Sequence, residues 1–209
     1  MRRQSEHLAD YRAALAKLDS EGMLYPCFCT RREIQAEIAR AGGAPQGEDG
    51  PIYPGICKRL TPGERAERIA AGVDYALRLN VVAALARTGA LDWCEDGRRV
   101  IAQPEALGDV VLARKDVPTS YHLAVTVDDA LQGVTLVTRG VDLFTATHIH
   151  RLLQALLGLA TPTYRHHPLL TDASGKRLAK RDRALTVRAM RAAGMTPAAI
   201  LERAQSSGR

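Results

Sequence analysis

Cys27 and Cys29 stand two positions apart in the stretch YPCFC, and Cys57 closes the stretch YPGIC. The chain has four cysteines, the last being the distant Cys94. Thiols at positions i and i+2 do not readily pair with each other as a disulfide, but a tight turn can aim both sulfurs at one metal ion. Zinc takes four tetrahedral ligands and thiolates are among its usual ones, so Cys27, Cys29 and Cys57 form a candidate zinc site. Spacing alone leaves the fourth ligand open between Tyr53, Cys94 and water, because no histidine lies between His7 and His122. The competing explanation is a set of buried free cysteines, which behave as small hydrophobes. Four protein ligands would make the site structural, whereas an open position would leave catalysis available to it.

A second stretch with chemical potential is TDASGKRLAKRD, residues 171–182, where a glycine in a polar turn precedes Lys176, Arg177, Lys180 and Arg181. A cationic loop of this kind can neutralise phosphate charge as a pyrophosphate leaves. Taken by itself, a charge run is more ordinarily a solvated face.

These groups need elements to hold them. Leu8, Tyr11, Leu15 and Leu18 recur at helical spacing, and Gly22 marks a stop before the YPCFC turn. Thr30 and Glu33 have capping-box spacing, which predicts a helix ending by Gly42 and Gly43. Thr61 and Glu64 repeat the signal with Pro62 at the first helical position, for a helix running to about Ala71. Residues 42–52 form a loop rich in Gly and Pro. Tyr75, Leu77 and Leu79 then alternate as in a half-buried strand, and DVVLAR, YHLAVTV and VTLVTRG predict further strands. Thr145 to Leu157 carries a helical pattern, TYRHHPLL a strand, and the last thirty residues predict helices, one starting at Thr196-Pro197. The mixture is α/β.

Apolar residues make up 46% of the 209 and charged residues 25%, the composition of an ordinary globular chain. No apolar run approaches the ~20 residues that span a bilayer, and MRRQSEHLAD lacks the apolar stretch of a signal peptide. The expectation is a cytoplasmic protein with reduced thiols and no membrane partner. A net charge of +6 permits a polyanionic partner.

Together, YPCFCTRREI, YPGIC, DDALQGVTLVTRG, LLQALLGL and YRHHPLLTDASGKRLAKRD resemble the glutamyl-queuosine tRNA(Asp) synthetases, short paralogues of bacterial glutamyl-tRNA synthetase. The likeness runs in the expected order over nearly the whole chain. It implies an α/β, Rossmann-like class I aminoacyl-tRNA synthetase catalytic domain with an inserted zinc-containing subdomain. It implies a ligase that makes glutamyl-adenylate from glutamate and ATP, with magnesium, and passes glutamate to the queuosine base of tRNA(Asp). The family's structural zinc ligands fall on Cys27, Cys29, Tyr53 and Cys57, leaving Cys94 to packing. Its glutamate-binding tyrosine and arginine fall on Tyr121 and Arg139. Its lysine-rich signature falls on Arg177 to Arg181, with Lys180 beside the ATP phosphates. Ala179 stands where related synthetases often have serine. Without the resemblance, Tyr121 reads as a core strand aromatic, Arg139 as a strand-end charge, and His166 and His167 as ordinary strand-end residues.

The family's HxGH-type signature does not occur in the sequence. The expected division is therefore a remnant helix of the first Rossmann half over 1–24, the inserted zinc-containing subdomain over 25–105, and the second Rossmann half over 106–209. The further expectation is that residues 1–209 alone do not activate glutamate. Two readings compete with a ligase: a catalytically silent zinc-containing RNA-binding remnant, and a fragment of glutamyl-tRNA synthetase.

Overall fold

Helix α1 (Leu8–Ser20) buries Tyr11, Leu15 and Leu18, the face its periodicity selects. Strand β1 (Leu24–Cys27) follows, so YPCFC is a strand that turns only after Cys27. Helix α2 (Arg31–Arg40) opens with the expected reciprocal cap. The Glu33 N–H donates to Thr30 Oγ1 at 3.2 Å and the Thr30 N–H to Glu33 Oε2 at 2.7 Å. The two-residue strands β2 (Gln46–Gly47) and β3 (Gly50–Pro51) pair within the Gly- and Pro-rich stretch. A 3-10 turn over Ile56–Arg59 then carries Cys57, and helix α3 (Pro62–Ala70) begins with the second capping box, on Thr61 and Glu64. The computed structural model that provides these observations describes residues 3–40, 46–47, 50–114, 116–170 and 186–206.

Strand β4 (Ala76–Leu79) leads into helix α4 (Val81–Thr88), which Asn80 caps. Strands β5 (Asp92–Glu95) and β6 (Arg98–Ile101) form a hairpin. Its two-residue turn has positive φ at both Asp96 (46°) and Gly97 (81°), the conformation that Asp-Gly favours. Strand β7 (Val111–Arg114) precedes helix α5 (Tyr121–Leu131). Strand β8 (Leu136–Gly140), helix α6 (Ala146–Leu157) and strand β9 (Thr163–His167) complete a crossover unit, and helices α7 (Val187–Ala192) and α8 (Pro197–Ser206) follow.

The strand expected at YHLAVTV is helix α5 instead. Val125, Thr126 and Val127 favour strands locally, but Leu123, Ala124 and Val127 fall on one helical face that is buried in the core. Tertiary packing overrides the local preference. Ser120 caps the helix by accepting the Leu123 N–H, and the Thr126 hydroxyl folds back onto the His122 carbonyl at 2.8 Å.

Two principal sheets result. One has the order β1-β4-β7 and is antiparallel throughout; the other has the order β6-β5-β9-β8, with β5, β9 and β8 mutually parallel. Parallel neighbours need a long crossover, which α6 supplies between β8 and β9. Strands from within residues 25–105 enter both sheets. Leu18, Leu79, Leu112, Leu123, Ile149 and Leu152 make the centre of the main core without exposure. Among the described residues, no helix is long and apolar enough to cross a membrane.

Candidate metal centre and carboxylate pocket

The ends of β1 and the 3-10 turn bring Cys27, Cys29 and Cys57 together, with their three sulfurs within 4.8 Å of one another. Cys29 Sγ lies 3.3 Å from Cys57 Sγ; Tyr53 Oη lies 3.3 Å from Cys27 Sγ and 3.6 Å from Cys29 Sγ. Gly55 makes the short return possible. Its φ of 75° turns the chain in YPGIC, a region that residues with a Cβ rarely occupy, and the Cys57 N–H then donates to Tyr53 Oη at 2.9 Å. A zinc ion bound at about 2.3 Å to each sulfur would space tetrahedral sulfurs about 3.8 Å apart. Cys29 Sγ and Cys57 Sγ sit about half an ångström inside that edge and all three sulfurs lie within 4.8 Å of one another, so three sulfurs and a phenol can close on such an ion with a small shift. Cys94 takes no part: it is exposed on β5 rather than packed, because the strand turns its neighbour Trp93 inward instead.

The surroundings act in opposite directions on these donors. The Phe28 N–H points at Cys57 Sγ at 3.3 Å, and the Arg78 guanidinium lies 3.8 Å over the Tyr53 ring. Burial pushes the Cys29 thiol up to about 12, with Cys57 and Cys27 adding to the rise and Tyr53 opposing it. Burial also acts to raise Cys27, yet hydrogen bonds to Tyr53 and Arg78 outweigh it and hold that thiol below its ordinary value. Asp109 ties the cluster to the core. Its buried carboxylate accepts from the Tyr25 hydroxyl at 2.7 Å, the Lys58 ammonium at 2.9 Å and the Val81 N–H at 2.9 Å. Beside the cluster lies a cleft of about 640 Å³ whose walls include Phe28, Tyr75, Arg31, Arg78 and Arg114.

The second constellation sits where β8 and β9 meet α5 and α6. Tyr121 is the first residue of α5, 47% exposed, and not a strand aromatic. Arg139 comes from β8 and reaches the Tyr121 hydroxyl with Nη1 at 3.3 Å. The same side chain donates from Nε to His166 Nε2 at 3.0 Å and from Nη2 to Thr147 Oγ1, and Nη1 lies 3.2 Å from His150 Nδ1. His166 is thus bound into this constellation, not an ordinary strand-end residue. Glu95 on β5 receives the His166 N–H at 2.8 Å. Burial acts to raise the Glu95 carboxyl, but hydrogen bonds from His166 and Trp93 win and hold it below the usual carboxylate range. Sequence reasoning passed over Glu95, Thr147 and His150. The signal for the last two is their spacing: three apart on α6, they share a helix face that is buried yet polar. Lys180, expected at the ATP phosphates, lies outside the described residues.

Comparison with known proteins gives consistent relatives. The family "tRNA synthetases class I (E and Q), catalytic domain" matches residues 1–208. Glutamyl-Q tRNA(Asp) synthetase of Rhodobacter capsulatus is 48% identical, with 95% of this chain and 72% of that protein covered. The proteins of the same name from Symbiobacterium thermophilum and Nocardia farcinica are 44% and 43% identical, and the chain spans only 59% and 60% of their length. Among solved structures, a glutamate tRNA ligase from Elizabethkingia meningosepticum superposes with a TM-score of 0.69 at 23% identity, covering 86% of this chain and 36% of that one.

Proposed function

Because the chain belongs to the class I tRNA synthetases for E and Q, and within them to the glutamyl-Q tRNA(Asp) synthetases, we propose that it provides the glutamate pocket of an ATP-dependent ligase that transfers glutamate to queuosine of tRNA(Asp). The observation that carries this reading is the presentation of Arg139. A guanidinium has five N–H donors and no acceptor. The four contacts described above leave one N–H on Nη2 and the Tyr121 O–H facing no partner among the described residues. An incoming carboxylate can accept from both, and charge-assisted bonds of this kind are about twice as strong as neutral ones.

In this reading Lys180 stabilises the charge that develops on the α-phosphate as the glutamate carboxylate attacks, with magnesium on the ATP. Cys27, Cys29, Tyr53 and Cys57 hold zinc, which when bound supplies a structural cross-link between β1 and the Ile56–Arg59 turn. The segment over 25–105 acts as the inserted subdomain. The aromatic and arginine-lined cleft suits a strand of RNA, because bases stack on aromatic rings while guanidinium groups meet phosphates. The working compartment is the cytoplasm, where such thiols stay reduced.

The test is glutamate-dependent ATP–pyrophosphate exchange, then transfer of labelled glutamate to tRNA(Asp) with and without queuosine. It uses the chain extended to the full length of its relatives. Exchange specific to glutamate and transfer only to queuosine-containing tRNA are expected, and Lys180→Ala should slow exchange about 10²-fold. Attachment at the 3′ end instead would assign the chain to ordinary tRNA charging. Exchange with other amino acids but not glutamate would overturn the reading.

A further inference from the structure

The side of Arg139 away from Tyr121 is fixed by groups that no part of the proposed reaction has yet used. Arg139 and His166 are direct partners in the register of β8 and β9, so the Nε–H meets His166 Nε2 at 3.0 Å across the strands. A guanidinium can only donate, and the imidazole nitrogen facing it must therefore be unprotonated. That places the His166 proton on Nδ1, which lies 2.9 Å from Glu95 Oε2. Glu95 grips the same residue twice, because its other oxygen accepts the His166 backbone N–H at 2.8 Å. The His166 and His150 side chains are 2% and 1% exposed, so water does not compete for these contacts.

The same logic applies on the other flank. His150 Nδ1 lies 3.2 Å from Arg139 Nη1 and must accept from it, which puts the His150 proton on Nε2. That proton faces His122 Nδ1 at 3.2 Å. One guanidinium thus sets the tautomers of His166, His150 and His122. Burial, and the positive charge of Arg139, keep His150 neutral, which prevents a second cation from opposing Arg139.

We infer that Glu95, His166 and His150 are positioning residues for Arg139. They fix the plane of its guanidinium and occupy its rear donors, so that the remaining N–H projects beside the Tyr121 hydroxyl toward a bound carboxylate. The frame rests on hydrogen-bond geometry alone; its consequence for glutamate rests on the reading of Arg139 as a substrate ligand.

Nitrogen-15 spectra of the histidine rings in the 209-residue chain test the frame directly. Near neutral pH the expected result is His166 neutral with its proton on Nδ1 and His150 neutral with its proton on Nε2. Finding the His166 proton on Nε2, or either ring as an imidazolium, overturns the inference whether or not glutamate binds. Glutamate titration then tests the consequence. His166→Leu, which removes both contacts, should weaken binding about ten- to a hundredfold, the usual scale for a hydrogen bond to a charged group. His166→Gln, which can still accept from Arg139, should lose less, and zinc content should not change in either. Equal affinity in wild type and His166→Leu would overturn the positioning role. Failure of the wild-type chain to bind glutamate would sink the proposed function, while the ring spectra would still decide the frame.

Discussion

The thiol cluster and the Arg139 pocket are both small knots of polar side chains, but they are assembled over very different lengths of chain. Cys27, Cys29, Tyr53 and Cys57 come from a single stretch, and two backbone N–H groups from that stretch already point at the donors. The pocket instead draws Glu95, Tyr121, Arg139, Thr147, His150 and His166 from β5, α5, β8, α6 and β9, with Glu95 and His166 71 positions apart. A locally built site tolerates changes elsewhere and fails when one of its own donors is lost. An assembled site depends on the register of two sheet strands and on one buried helix face, so it can be weakened from several elements without touching the residue that meets substrate. The difference explains why spacing exposes one site and hides the other.

The largest expected effect is on the local site. Cys57→Ser should abolish stoichiometric zinc in protein purified without chelator, as metal analysis would show, while Tyr53→Phe should lose less. Full zinc retention by Cys57→Ser would break the claim that these donors form one centre. Next comes the tie between the thiol cluster and the core. Asp109→Ala leaves the Tyr25 hydroxyl, the Lys58 ammonium and the Val81 N–H without their acceptor. Lys58 is 31% exposed, so solvent softens the loss, and about 2–3 kcal/mol of stability should disappear in urea denaturation. A loss below the resolution of that measurement would mean that Asp109 does not hold the cluster to the core.

A smaller effect should distinguish the assembled pocket. The Glu95 carboxyl is held below its ordinary value of 4.5 in the folded chain, so the folded state binds its proton less readily than the unfolded state. Its stabilisation is complete above the ordinary carboxylate range and is lost as pH falls through the lowered folded value. Wild type should therefore lose stability more steeply than Glu95→Gln as pH drops below 4.5, and parallel curves would show that the Glu95–His166 contact adds nothing. The smallest effect belongs to neither site. Thr61→Ala removes the cap of α3 and should cost about 1 kcal/mol, with zinc content and glutamate affinity unchanged.

Legibility followed the same division between local and assembled. The CxC pair and both capping boxes declare themselves in a few adjacent residues, and the helical face of α1 follows from its period. The Asp96-Gly97 hairpin was equally local, yet it passed unnoticed because the flanking DWCE and RRVI lack a clean apolar alternation. YHLAVTV misled because three β-branched residues outweigh the Ser120 cap until the neighbouring helices are known. His166 looked ordinary because its meaning lies in the strand pairing that sets it against Arg139, and no spacing along the chain encodes that register. Spacing leaves Tyr53 level with Cys94 and water, and only the resemblance selects it; Tyr121 becomes a candidate through resemblance alone, since a lone tyrosine at a helix start has no local signature.

The central claim, that one site holds metal and the other holds substrate, is tested most directly by measuring glutamate affinity and zinc content side by side in wild type and Arg139→Lys. Lysine keeps the charge but loses the planar fork that His166, Thr147 and His150 hold in place. The account predicts full zinc content and a glutamate affinity at least about tenfold weaker in the variant. Unchanged glutamate affinity in Arg139→Lys, or zinc lost together with glutamate, would contradict it.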